Sequence, residues 1–138
     1  MTWKRNVLVV ANVTATSDEL LSTLRDRADS EPMSFELIIP ATPFGGGAEA
    51  ASAQLQEALG LFAAAGLEAR GGIGHGDPLV AVTDAWDPKK YDEIIVSTLP
   101  LGVSRWLELD LVSRTRQFGL PVQHVLGKDH RLAGAVNH

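Results

Sequence analysis

The run Val7-Leu8-Val9-Val10-Ala11 constrains this fold more than any other stretch. All five residues are apolar, without the alternation of a strand that has one wet face, so it reads as a strand buried on both faces. A parallel sheet with helices on either side supplies that environment. Ile94-Ile95-Val96 repeats the pattern in the second half of the chain, within a strand read over 91–97. Phe35-Glu36-Leu37-Ile38-Ile39 and Pro121-Val122-Gln123-His124-Val125-Leu126 read as further strands. A weaker strand over 67–73 is diluted by Gly71 and Gly72, which places it at a sheet edge.

Helical periodicity fills the gaps between these runs. Thr16 and Glu19 have the spacing of a capping box, and Leu20, Leu21, Leu24 and Ala28 share a face of the helix that follows. Pro32 ends that segment. The turn-rich stretch Pro40-Ala41-Thr42-Pro43-Phe44-Gly45-Gly46-Gly47 leads into an Ala-rich helix with Ala51, Leu55, Leu59 and Phe62 on one side and Gly66 at its end. Asp77-Pro78 is an N-cap followed by proline at the first helical position, and a fourth helix is read over 110–118. The order is β-α-β-α-β-α-β-α-β. It predicts a three-layer α/β/α fold built on a five-stranded parallel sheet with right-handed crossovers.

At 138 residues the chain is expected to be one domain over 1–138, with a core over 5–127 and a tail over 128–138 that has little to bury. A hydrophobic share of 45% against 21% charged residues excludes an intrinsically disordered chain. The net charge of -5, without a sustained basic cluster, argues against nucleic acid or an anionic membrane as partner. No apolar run approaches membrane-spanning length, and a cytoplasmic protein is expected. The absence of cysteine excludes thiolate chemistry.

Few residues carry a chemical signal. Gly45-Gly46-Gly47 lacks the Lys-Ser/Thr of a P-loop and the spacing of a dinucleotide turn, and reads as a flexible loop. His75 and Asp77 flank Gly76, but helix capping accounts for Asp77, and the four histidines have no metal-ligand spacing. Gly102-Val103-Ser104 starts like a nucleophile elbow, yet position 106 is Trp where the second glycine belongs. Trp3, Trp86 and Trp106 are too scattered for a base-stacking platform. Asn12, at the end of the first strand, has the chemistry of a ligand contact and equally of a turn residue. No catalytic residue and no metal site is assigned. The most unusual stretch is 97–110, Ser-Thr-Leu-Pro-Leu-Gly-Val-Ser-Arg-Trp-Leu-Glu-Leu-Asp, which follows a buried strand at the junction where α/β folds bind ligands.

From Val7 to Val125 the chain resembles the universal stress protein family, within the adenine-nucleotide α-hydrolase-like superfamily. The resemblance rests on Val7-Leu8-Val9-Val10, Gly76-Asp77-Pro78, Tyr91-Asp92-Glu93-Ile94-Ile95-Val96 and Leu120-Pro121-Val122. It implies strand order 3-2-1-4-5, a homodimer through the last strand (Pro121 to Leu126), and ATP or AMP as ligand. Nucleotide-binding members carry Asp at the end of strand one and G-x2-G-x9-G-S/T after strand four. In this chain Asn12 stands at the Asp position, Ser97-Thr98 at the first glycine, Gly102 at the second, and Leu109-Asp110 at the final pair. Ser-Thr-Leu-Pro and Gly-x-Ser-Arg-Trp-Leu are similar to a divergent subgroup that includes domains appended to some amino-acid permease-like transporters.

These replacements have a physical cost for phosphate. Asp110 would accept the helix-start amides that phosphate otherwise meets, and adds a like charge worth on the order of a few kcal/mol of repulsion. A bridging Mg²⁺ would reverse that sign. The expected function is therefore a non-catalytic regulatory or ligand-sensing domain with a degenerate nucleotide site. Its candidate ligand contacts are Asn12, Ser97, Thr98, Leu99, Gly102, Ser104, Arg105 and Asp110. The alternatives are an ATP- or AMP-binding stress protein that uses a variant loop over 97–110, with Arg105 toward phosphate, and a weak nucleotide hydrolase.

Overall fold

The computed structural model describes residues 4–11, 14–41, 47–75, 80, 91–98 and 121–126. Their elements run β1 (Arg5–Val10), α1 (Asp18–Ser30), β2 (Met33–Pro40), α2 (Gly47–Ala64), β3 (Glu68–Gly74), β4 (Glu93–Thr98) and β5 (Val122–Leu126). The five strands form one sheet in the order β3-β2-β1-β4-β5, and every neighbouring pair is parallel. This is the α/β architecture expected from the unbroken apolar runs, with the weak glycine-bearing strand at an edge. The helices expected to start at Asp77 and near 110, and the tail, lie outside the described residues.

Strand alternation sorts the sheet into two faces. Val7, Val9, Phe35, Leu37, Ile39 and Ile95 share one face with Leu20 and Leu24 of α1 and with Ala51, Ala58 and Phe62 of α2 in a single buried cluster. Leu8, Val10, Ile94 and Val96 point the other way and are 0–2% exposed, so the central strands are covered on both sides. That double burial is why their sequences lack alternation.

The helix boundaries follow from local chemistry. α1 is capped by Ser17, not by Thr16 as the box spacing suggested: Ser17 Oγ accepts from Leu20 N at 3.2 Å. The shift of one residue places Leu20 three positions after the cap, where no side chain can reciprocate, so half of the capping box forms. α2 ends as expected at Gly66, whose φ of +81° permits Gly66 N to bond Ala63 O and Leu67 N to bond Phe62 O, the two bonds of a Schellman turn. In β3, Gly71 lies against the carbonyl of Leu37 on β2, too close for any side chain.

Candidate functional site

In this strand order β1 and β4 lie side by side, and their connections leave toward opposite edges of the sheet. The carboxyl ends of these two strands therefore frame the topological switch point, the usual ligand crevice of open α/β sheets. Val10 pairs in register with Val96, the residue before Ser97, so the carboxyl ends of β1 and β4 lie side by side. Ser97 is 4% exposed, and its Oγ lies 2.7 Å from Thr14 Oγ1, itself 1% exposed. The buried hydroxyl pair ties the β1–α1 turn to the end of β4. Thr14 O in turn accepts from Ser17 N at 3.0 Å, joining the pair to the helix cap.

Of the candidate residues read from sequence, Ser97 and Thr98 fall within β4, at its carboxyl end. Asn12, Leu99, Gly102, Ser104, Arg105 and Asp110 lie outside the described residues. Thr14 was not among the candidates. Its signal was its place, a hydroxyl side chain four positions after the apolar run Val7–Val10.

Among the described residues, the helix starts at this end of the sheet are acidic. Asp18 and Glu19 occupy the first turn of α1, and Glu49 the first turn of α2. Both helices follow strands that run to this edge, so their N-termini are at the same end as the crevice. Acids there complement the helix dipoles and oppose a second anion. Among the described residues, no three His, Asp or Glu side chains are grouped to hold a metal ion, and no helix is long and apolar enough to cross a membrane.

The opposite, amino-terminal end of the sheet holds a denser polar network that sequence reading missed. Glu93, 3% exposed at the start of β4, accepts from Arg5 Nε at 2.8 Å and from Arg27 through both carboxylate oxygens, at 2.5 and 2.7 Å. Arg27 Nη1 also donates to Gln123 Oε1 on β5 at 2.6 Å. Burial pushes the Glu93 carboxyl up, but the hydrogen bonds from Arg27 and Arg5, with their charges, outweigh it and hold the group below its ordinary range. The bond to Glu93 raises Arg27 in turn. The sequence signal was a carboxylate in phase with Ile95 and Ser97, the residues that face the core. A shallow polar depression lined by Asn6, Ser34, Glu36, Arg70 and Tyr91 lies toward this same end, away from the crevice.

The five-stranded parallel sheet and its strand order define a fold of the universal stress protein type, and solved structures bear that out. A universal stress protein in complex with cAMP superposes with a TM-score of 0.62 at 20% identity, covering 91% of this chain and 98% of that one. A universal stress protein from Archaeoglobus fulgidus gives a TM-score of 0.64 at 18% identity over 88% of this chain and 93% of that one. The universal stress protein from Archaeoglobus fulgidus in complex with dAMP gives 0.60 at 16% identity, over 91% and 99%. No family model matches the chain, and no curated protein sequence matches it. At these identities the likeness establishes the fold.

Proposed function

We propose that this chain is a non-catalytic, ligand-sensing domain of the universal stress protein type, acting in the cytoplasm, with a degenerate nucleotide site at the β1/β4 crevice. The observation that carries this reading is the buried Thr14–Ser97 pair. The hydroxyl that stands where the family pattern reaches its first phosphate-loop glycine is committed to the protein's own turn. Acidic first turns on α1 and α2 support it, because phosphate charge would gather at the same edge. Leu109 and Asp110, where the family pattern has Gly-Ser/Thr, point the same way.

A second reading is an AMP-type binder using Asn12, Ser97, Thr98, Leu99, Gly102 and Ser104, with Arg105 toward phosphate. The cAMP and dAMP complexes of the similar structures favour it. Titration calorimetry with ATP, AMP and cAMP, with and without Mg²⁺, separates the two. The degenerate-site reading expects no sub-millimolar binding; sub-millimolar affinity for any of the three establishes the second reading instead. Restoring the family residues with Leu109→Gly and Asp110→Ser is expected to raise ATP affinity at least about tenfold, since relieving the like charge is worth more than about 1.4 kcal/mol. No gain refutes the capping argument.

A further inference from the structure

The helix α1 is clasped to β4 at both ends. At the crevice, Thr14 in the turn that leads into α1 meets Ser97 at 2.7 Å. In the last turn of α1, Arg27 meets Glu93 through both carboxylate oxygens. Ser97, Ile95 and Glu93 have the same parity, so both clasps lie on the face of β4 that α1 covers. The Arg27 guanidinium also holds Gln123 of β5 at 2.6 Å, from the same face. A hydrogen-bonded rod of 13 residues, about 20 Å long at 1.5 Å per residue, thus joins a buried hydroxyl pair at the ligand end to the outermost strand at the other.

From this we infer that α1 couples the β1/β4 crevice to the edge strand β5. A ligand group that takes the place of Thr14 on the Ser97 hydroxyl frees the start of α1. The helix then shifts as a unit, because its own backbone bonds are stiffer than its clasps. The displacement reaches β5 through Arg27, whose orientation is fixed by Glu93 and whose remaining N–H on Nη1 is spent on Gln123. β5 is the receptive element: it has five residues and a hydrogen-bonded neighbour on one side, β4. Arginine is required at this node, since a lysine ammonium cannot grip two carboxylate oxygens and an amide in one fixed fork. This coupling supplies the output for the sensing role proposed above and rests on that reading for its trigger. Its mechanical half stands without a ligand.

The test is therefore ligand-free hydrogen exchange on the full chain, read at the backbone amides of β5 against those of β1 and β2. Thr14→Val removes the hydroxyl at nearly constant shape and is expected to speed β5 exchange about fivefold, the worth of one neutral hydrogen bond, with β1 and β2 unchanged. Thr14→Ser keeps the hydroxyl and is expected to match the wild type. Arg27→Lys is expected to speed β5 exchange as well. In the Arg27→Lys background, Thr14→Val is expected to add nothing further, because the path is already cut. Additive effects of the two substitutions, β5 exchange that is unmoved by Thr14→Val, or equal acceleration in β1 and β2 would each overturn the coupling. A domain that binds none of the nucleotides still gives a readable result, so failure of the coupling and failure of the sensing proposal are distinguishable.

Discussion

Gly71 and Gly60 are chemically the same residue, and the structure assigns them opposite responses to one methyl group. At Gly71 a Cβ would fall inside contact distance of the Leu37 carbonyl oxygen, 2.8 Å from Leu55 Cδ1 and 3.2 Å from Leu37 Cβ. The Leu55 methyl can rotate aside, because Leu55 is only partly buried. The Leu37 carbonyl cannot, because it belongs to the strand paired with β3. The methyl therefore pushes β3 off β2 at mid-strand, an overpacking cost of about 1–3 kcal/mol. Alanine recovers about 0.5–1 kcal/mol through the lower entropy of its unfolded chain. At the middle of both ranges the net expectation for Gly71→Ala is a loss of about 1 kcal/mol. For a 138-residue chain unfolding with about 2.1 cal/mol/K per residue, this lowers Tm by about 3–4 °C. Gly60 lies in α2 with nothing within 4 Å of an added Cβ, so Gly60→Ala should stabilise by about 0.5–1 kcal/mol through helix propensity. Urea unfolding followed by circular dichroism at 25 °C measures both. A Gly71→Ala variant as stable as the wild type would refute the close approach of β3 to β2. A Gly60→Ala variant that loses stability would refute the open helix surface.

Acid should weaken the fold through Glu93. Its carboxyl pKa is lowered in the native state, so the stability it contributes is fully present above its unfolded value of about 4.5 and is lost as pH falls through the lower folded value. Glu93→Gln is expected to flatten the part of the stability–pH curve below about pH 4.5 and to cost about 2–3 kcal/mol at pH 7, less than a fully buried pair because both arginines are partly exposed. Urea midpoints from pH 7 down to 3 check both, and a curve parallel to the wild type's refutes the role of Glu93. Dimerisation through the edge 121–126 is expected to give two copies in sedimentation at micromolar concentration. A monomeric mass there refutes it.

The architecture was legible in the sequence because it depends on patterns that survive without tertiary context. Unbroken apolar runs at β1 and β4 require cover on both faces, and helical segments between them require parallel crossovers. Gly71 and Gly72 demoted β3 to an edge. The strand order came from family resemblance, and the hydrogen-bonded pairing of β1 with both β2 and β4 agrees with it. The helix stop at Gly66 was equally local, since only a positive φ closes that turn cheaply. The start of α1 was read one residue early, because Thr16 and Ser17 offer the same hydroxyl and spacing alone cannot choose between them.

The sequence by itself determined the class of fold and the alternation of its strands and helices; that 97–110 stands in place of a phosphate loop is what the family resemblance implies. Tertiary structure decided which polar groups are committed to each other. Thr14 and Ser97 are 83 positions apart in the chain, and Arg27 and Glu93 are 66 apart. No local pattern links such residues, because their pairing exists only when parallel strands align in register and α1 is laid across them. A hydroxyl or a carboxylate in a strand announces polarity to the reader of a sequence. Which side chain it meets is fixed by what the fold brings within hydrogen-bonding distance, as it brings Thr14 to Ser97 and Arg27 to Glu93.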